Sequence, residues 1–353
     1  MILKENMSNG FSEEEIQVLI GLIELSKPIT TPNNCEYKFF PKTENEAREY
    51  FGRFAVDWSL AIPSLIKRGH VEMYESRYNL TETGLRAASL LRLERPPLWY
   101  TYKSYYIDTA HSIAHSVFCE KVFGRNLCQD GFADIIQLDK MIEVMQIGKN
   151  SRILDLGCGN GMISEYISDK TGAFVLGIDY IPEAIQQALE RTKVKSDRLC
   201  FSVGNMDDLK LPENYFDAVI CIDTLYMPNN LDCTIESILR TLKKPGEIAV
   251  FYSKFYGNLA KDMNADSNEL AQVFRKRGIE YGYFDFSREN YELLCRKNIA
   301  AKELKNAYIL EGNMHLYEKM LRESIDSVQV YDERINNIRR YLYHARIQSV
   351  LKD

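Results

Sequence analysis

An apolar run, Ile153–Leu156, carries the carboxylate Asp155 straight into Gly157, Gly159 and Gly161, three glycines at alternate positions ahead of Met162. Glycine tolerates a left-handed backbone and brings no Cβ, so such a loop lets main chain approach a ligand closely. A dinucleotide fingerprint would read Gly-x-Gly-x-x-Gly and aim helix amides at a pyrophosphate. Here the third glycine comes one residue early, Met162 fills the expected place, and Asp155 would repel phosphate while welcoming an ammonium. The loop suits a cationic, phosphate-free nucleoside better than NAD. A second group of functional side chains is His111, His115 and Cys119, spaced i, i+4, i+8, which one helix would align along a face. No fourth ligand accompanies them, so ordinary helix packing outweighs a metal site. Tyr105, Tyr106, Gln129 and Tyr226 are candidates for a substrate pocket, since tyrosine rings offer π faces to cations.

The loop resembles the first motif of the class I S-adenosylmethionine-dependent methyltransferases. Val175-Leu176-Gly177-Ile178-Asp179 resembles their second strand with its terminal acid, 18 residues after Gly161. Two carboxyl oxygens can accept from both ribose hydroxyls, and a phosphorylated ribose would be excluded. Gly204-Asn205-Met206-Asp207-Asp208-Leu209 is similar to the adenine-binding turn, although the family often has Asp where Asn205 stands. Phe216–Tyr226 resembles the fourth strand and the loop behind the sulfonium, and Leu242-Lys243-Lys244-Pro245-Gly246-Glu247 resembles the turn before the fifth. The resemblance covers about residues 149–256. It implies a cofactor set of Asp155, Gly157, Cys158, Gly159, Gly161, Asp179, Tyr180, Asn205, Met206, Asp207, Ile222 and Asp223. It also implies S-adenosyl-L-methionine as cofactor and S-adenosyl-L-homocysteine as product. Methyl transfer needs alignment and an unprotonated nucleophile, which makes His111, His115 and Tyr226 the candidate catalytic residues. More loosely, Phe284–Tyr291 is similar to the sixth strand and insertion of relatives that methylate amines, quinol precursors or lipids. The implied acceptor is a small molecule: an amine, a hydroxyl or an activated carbon.

The elements that must position these residues form an α/β pattern. Strands are expected at Arg152–Leu156, Phe174–Asp179, Leu199–Val203, Ala218–Asp223 and Gly246–Ser253, with helices at Met162–Lys170, Pro182–Lys193 and Thr234–Leu242 between them. Such alternation predicts a Rossmann-like, mostly parallel sheet. By resemblance, Arg340–Arg346 is its last strand, antiparallel, after a helical insertion at about 257–338. Residues 96–148 read as a helical connector covering the cofactor cleft, with helices at Ile113–Phe123 and Gln137–Met145. Residues 1–95 are α-rich. Ser12 and Glu15 form a capping box, helices follow near Thr43–Phe54 and Asp57–Arg68, and strands at His70–Tyr74 and Arg77–Leu80 precede another helix. That order resembles a winged-helix domain. Its 12 Lys+Arg against 14 Asp+Glu, a net of −2, favour dimerisation or a lid over DNA reading.

The 353 residues carry 45% hydrophobic side chains, enough for packed cores, and a formal charge of −6 that offers nucleic acid and anionic membrane no general attraction. Arg334, Arg339, Arg340 and Arg346 read as a solvated basic face. No apolar run approaches the ~20 residues that span a bilayer. The polar, acidic N-terminus and eight cysteines without a CxxC pair lead to the expectation of a soluble, cytoplasmic protein. The expected partners are a small-molecule methyl acceptor and a second subunit through the N-terminal domain. The alternative is a DNA-binding regulator whose methyltransferase-like domain senses S-adenosylmethionine without catalysis. A nucleic-acid methyltransferase stands third, because the Asn/Asp-Pro-Pro-aromatic run of one common base-amino-methylating type is missing.

Overall fold

The computed structural model describes residues 10–24, 28–31, 34–37, 41–255, 264–326 and 338–348. The chain divides into two compact units, 1–104 and 105–353, with the boundary inside one helix, Trp99–Thr109.

In the first unit, α1 (Glu13–Ile23) starts on the capping box: Glu15 N–H donates to Ser12 Oγ at 3.3 Å and Ser12 N–H to Glu15 Oε2 at 3.1 Å. A two-stranded sheet, β1 (Pro28–Thr31) and β2 (Asn34–Tyr37), precedes α2 (Glu44–Arg48). The stretch to Phe54 then tightens to a 3-10 helix rather than continuing as α. α3 (Ala61–Lys67) holds Pro63 in its first turn, where a missing N–H leaves no intrahelical bond unmade. A hairpin of β3 (Val71–Tyr74) and β4 (Arg77–Leu80) follows, and α4 (Glu82–Glu94) completes the core around Leu19, Trp58, Leu65 and Leu91.

The aromatic run after Pro96-Pro97 is the helix α5 (Trp99–Thr109). In the second unit, α6 (Ile113–Phe123) and α7 (Ile135–Val144) lead into β5 (Arg152–Leu156), α8 (Met162–Thr171), β6 (Phe174–Asp179), α9 (Pro182–Arg191) and β7 (Leu199–Val203). Next come β8 (Phe216–Ile222), α10 (Leu231–Thr241), β9 (Leu242–Phe255), α11 (Glu269–Lys276), β10 (Tyr281–Asp285), α12 (Ser287–Leu310), α13 (Met314–Arg322) and β11 (Ile338–Ile347). One sheet runs in the order β10-β11-β9-β8-β5-β6-β7. The five strands β5–β9 are parallel, and β11 lies antiparallel to both its neighbours, β9 and β10.

Side chains alternate between two cores, one on each face of the sheet. Leu154, Val219, Cys221 and Val250 face α10 and α11 through Ile235, Ile238 and Phe274. Ile153, Val175, Ile220 and Phe251 face α7, α8 and α9 through Leu138, Met141, Ile167 and Ile185. With both faces covered, the central strands read as continuous apolar runs. Several boundaries differ from the expected ones, among them the start of β9, at Leu242 rather than Gly246, and the end of β8. Strand β8 ends at Ile222 rather than Asp223, because Asp223 turns to φ 58°, outside the extended region. The long helix after β10 runs to Leu310 and stops just before Gly312, at φ 71°. Among the described residues no helix is long and apolar enough to cross a membrane.

Candidate active site

The glycine loop closes the C-terminal end of β5. Gly157, Gly159 and Gly161 adopt φ of 79°, 56° and 73°, and a Cβ on them would strike Thr224, the Tyr106 hydroxyl and the Phe201 ring respectively. Position and chemistry both demand glycine there. Main chain anchors the loop to β6: the Gly157 and Cys158 N–H groups donate to the Ile178 carbonyl at 2.7 and 3.1 Å. Asp179 adds a tie, accepting from Gly159 N–H at 2.9 Å on one oxygen and from Ile181 N–H at 2.9 Å on the other. A carboxylate has about four acceptor sites, so three N–H donors leave room for a hydroxyl. Burial pushes the Asp179 carboxyl up to about 6, against the opposing donation of the Ile181, Gly159 and Tyr180 N–H groups.

Asp155 lies buried beneath the loop and accepts from Ser164 Oγ of α8 at 2.5 Å. Burial pushes it up to about 7, eased by the Ser164 hydroxyl and reinforced by the nearby Asp179 charge. After β7, Asn205 Oδ1 accepts from Asp207 N–H at 2.9 Å, Met206 is buried, and the Asp207 carboxylate accepts from Asn229 N–H at 3.0 Å and Nδ2 at 2.8 Å.

Asp223, expected among the cofactor contacts, is tied firmly into the protein. Its carboxylate pairs with both terminal nitrogens of Arg340, Nη2 at 3.0 Å, and accepts from Phe132 N–H at 2.9 Å. Arg340 also donates from Nε to Gln137 Oε1 and from Nη1 to Ser253 Oγ, each at 2.8 Å. The guanidinium is 0% exposed, so the expectation of a solvated basic face fails at Arg340. Period two explains it: Arg340 and Leu342 of β11 face the same way, and Leu342 is core. The connector passes so close that a Cβ on Gly131 would sit 2.6 Å from Asp223 Oδ2.

The histidine line does not form. Ser112 caps α6, its Oγ accepting from His115 N–H at 3.0 Å, so His111 precedes the helix and lies exposed. Glu311, beyond α12, completes that cap by accepting from Ser112 Oγ at 2.6 Å and Ala114 N–H at 2.8 Å. His115 is buried. Its Nε2 lies 2.9 Å from Tyr105 Oη and 3.4 Å from Cys119 Sγ, and its Nδ1 lies 3.4 Å from Tyr308 Oη. Burial, with the Lys319 and Lys297 charges, pushes this imidazole down to about 3. It is neutral at physiological pH and a weak proton acceptor. Among the described residues no three His, Cys, Asp or Glu side chains are grouped to hold a metal ion.

The pocket candidates separate. Gln129 is turned into its own loop, accepting from Leu127 N–H at 2.9 Å and donating to the Arg125 carbonyl at 3.4 Å. Tyr105 is buried with its hydroxyl on His115, while Tyr106 holds its hydroxyl over Gly159 and its carbonyl accepts from Gln187 Nε2 at 2.8 Å. Tyr226 is part-exposed on the loop after β8, edge-on to Tyr252 with ring centroids 5.9 Å apart. A cleft of about 620 Å³ gathers His111, His115 and Cys128 of the connector with Asn160, Met162 and Gln187 beside the glycine loop. Sequence reasoning passed over Asp130, which pairs with Lys319 of α13 across 189 positions; no local pattern marks such a pair.

Residues 147–288 match a family model described as a methyltransferase domain. The phosphoethanolamine N-methyltransferase 1 of Zea mays is 26% identical over 161 residues, 46% of this chain and 30% of that one. The sterol 24-C-methyltransferase of Aspergillus fumigatus is 34% identical over 110 residues, 30% of this chain and 29% of that one. The chain thus spans about a third of the length of the curated relatives it matches. Among solved structures, phosphoethanolamine N-methyltransferase 2 of Haemonchus contortus, in complex with phosphomonomethylethanolamine and S-adenosylhomocysteine, aligns with a TM-score of 0.54 at 18% identity, covering 70% of this chain and 60% of that one. The SpnF cyclase aligns at 0.53 and 19%, covering 70% and 95%. Both likenesses are of fold.

Proposed function

From the match of residues 147–288 to a methyltransferase domain, we propose that the chain is an S-adenosylmethionine-dependent methyltransferase acting on a small molecule. The observation that carries this reading is the pair Asp155 and Asp179, two buried carboxylates at the ends of adjacent parallel strands around a loop only glycine can form. The crevice beyond the carboxyl ends of strands is where open α/β sheets bind ligands. This one asks for positive charge and vicinal hydroxyls and refuses phosphate. S-adenosylmethionine meets both demands, and when bound it supplies a methyl group on a sulfonium.

The chain's own residues align and shield. Asp179 would hold the ribose with its remaining acceptor capacity while fixing Gly159. Asp155 would set the field under the loop. Asn205, Met206 and Asp207 would form the adenine turn, with Cys158, Tyr180 and Ile222 lining the cleft. Asp223 would act as a positioning residue, tying the end of β8 to β11 and to the connector. His115 would hold the Tyr105 hydroxyl. His111 and Tyr226, both reachable from solvent, stay as the residues to orient an amine, hydroxyl or activated carbon. The relatives' acceptors, phosphoethanolamine and a sterol in their names, differ too widely to fix this one.

Calorimetric titration with S-adenosylhomocysteine, with NAD as the control, tests the reading. Saturable binding of the first alone supports it, and methyl transfer from labelled cofactor to an acceptor panel would establish turnover. Binding of NAD, or of neither, would sink it.

A further inference from the structure

Between the connector and the α12–α13 helices lies a buried ionic group that the proposed chemistry does not use. Lys319 of α13 pairs with Asp130 and, at 2.8 Å, with Glu323 Oε1. Lys297 of α12 reaches the other oxygen of the same carboxylate, Glu323 Oε2, at 3.4 Å. One carboxylate therefore bridges two lysines. Lys297 is 1% exposed, yet its ammonium has three donors. Among the described residues it meets only that long bond and the face of Phe132, at 5.4 Å. Leaving a buried ammonium so poorly served is expensive, because an ion removed from water needs strong partners to offset its desolvation. Glu323, by contrast, is 32% exposed at the C-terminal end of α13, the most exposed member of the group.

The group also touches residues around the candidate site. Phe132, under Lys297, donates its N–H to Asp223 at the end of β8, and Lys319 lies 5.1 Å from the Tyr105 ring centroid. We infer that Lys297 and Lys319 form an oxyanion subsite for the acceptor, which Glu323 fills in the free chain and a carboxylate or phosphate of the acceptor displaces. The inference rests on the methyltransferase reading for the identity of the ligand, while the anion site itself stands on the lysine geometry. Asp130 keeps Lys319 charged and in place when Glu323 leaves. The acceptor would then carry its nucleophile at one end and an anion at the other, lying from the glycine loop toward α13.

The test titrates inorganic phosphate and acetate, against chloride at matched ionic strength, into chain saturated with S-adenosylhomocysteine. The expected result is binding of at least one oxyanion that Glu323→Gln tightens about tenfold and Lys297→Met weakens about tenfold. Phosphate alone would identify a phosphoryl acceptor, acetate alone a carboxylate. Equal affinities in wild type, Glu323→Gln and Lys297→Met, or no response beyond chloride in any, would overturn the proposal and leave a purely structural ion network. Should Glu323→Gln fail to fold, the wild-type comparison with Lys297→Met decides alone. Failure of S-adenosylhomocysteine to bind would instead count against the methyltransferase reading, and the anion titrations on the free chain would still judge the subsite.

Discussion

Asp155 and Asp179 lie buried on adjacent strands, and burial drives them to about 7 and about 6. Both folded values lie above the unfolded ones, so the free native chain holds protons that the unfolded chain releases. Their stabilising contribution is complete below about pH 4 and is lost as pH rises through 6 to 7. A cationic ligand reverses the preference. S-adenosylmethionine affinity should therefore rise between about pH 5.5 and 7.5 with release of protons, read by calorimetry in buffers of different ionisation enthalpy; a flat profile would contradict the assignment. Asp179→Ala removes the ribose acceptor together with the Gly159 tie, and at about 1.5–3 kcal/mol per charged hydrogen bond should weaken S-adenosylhomocysteine binding by about 10–100-fold. An unchanged affinity would place the ribose elsewhere. These residues were legible in the sequence because their signal is local, a loop and an acid within 25 positions. His115 was legible as a candidate but not in its duty, since Tyr308, which fixes it, lies 193 positions away.

At the scale of elements, the sequence showed where strands and helices lie far better than how they lock. Period and glycine placement marked β5, β6 and β7 to the residue, because each is a short apolar run flanked by breakers. They could not show that the end of β8 is held by β11. The Asp223–Arg340 pair spans 117 positions and turns an apparently surface arginine into a core residue. Breaking such a pair from one side leaves an uncompensated buried charge, at a cost of about 3–5 kcal/mol. Asp223→Asn should destabilise the second unit by roughly that amount in denaturant unfolding, whereas Asp223→Asn combined with Arg340→Met should recover much of it. Equal losses in the single and double variants would show that the pair is not coupled. Cap chemistry was half visible in the same way: Ser112 is a readable N-cap, but Glu311, which completes it, comes from the far end of α12.

For the whole molecule, composition and charge set limits that the structure leaves intact. Residues 1–95 hold 12 basic and 14 acidic side chains, and a net negative unit lacks the field that draws phosphates. Random duplex DNA at about 50 mM salt should accordingly show no tight, salt-sensitive complex in a fluorescence-anisotropy titration; such a complex would revive the regulator alternative. The strand order carries a consequence for how the chain reaches this state. Strand β11, made from residues 338–347, is inserted between β9 and β10, both of which precede it. Until residues 338–347 emerge from the ribosome, β9 offers an open hydrogen-bonding edge, β10 has no neighbour in the sheet, and Asp223 has no guanidinium beside it. Open apolar edges template aggregation, so nascent chains should depend on chaperones until β11 is made. A chain stopped at residue 337 should accumulate in the insoluble fraction even though the glycine loop and its carboxylates are already made. Finding it soluble and two-state in unfolding would mean that the sheet closes without β11.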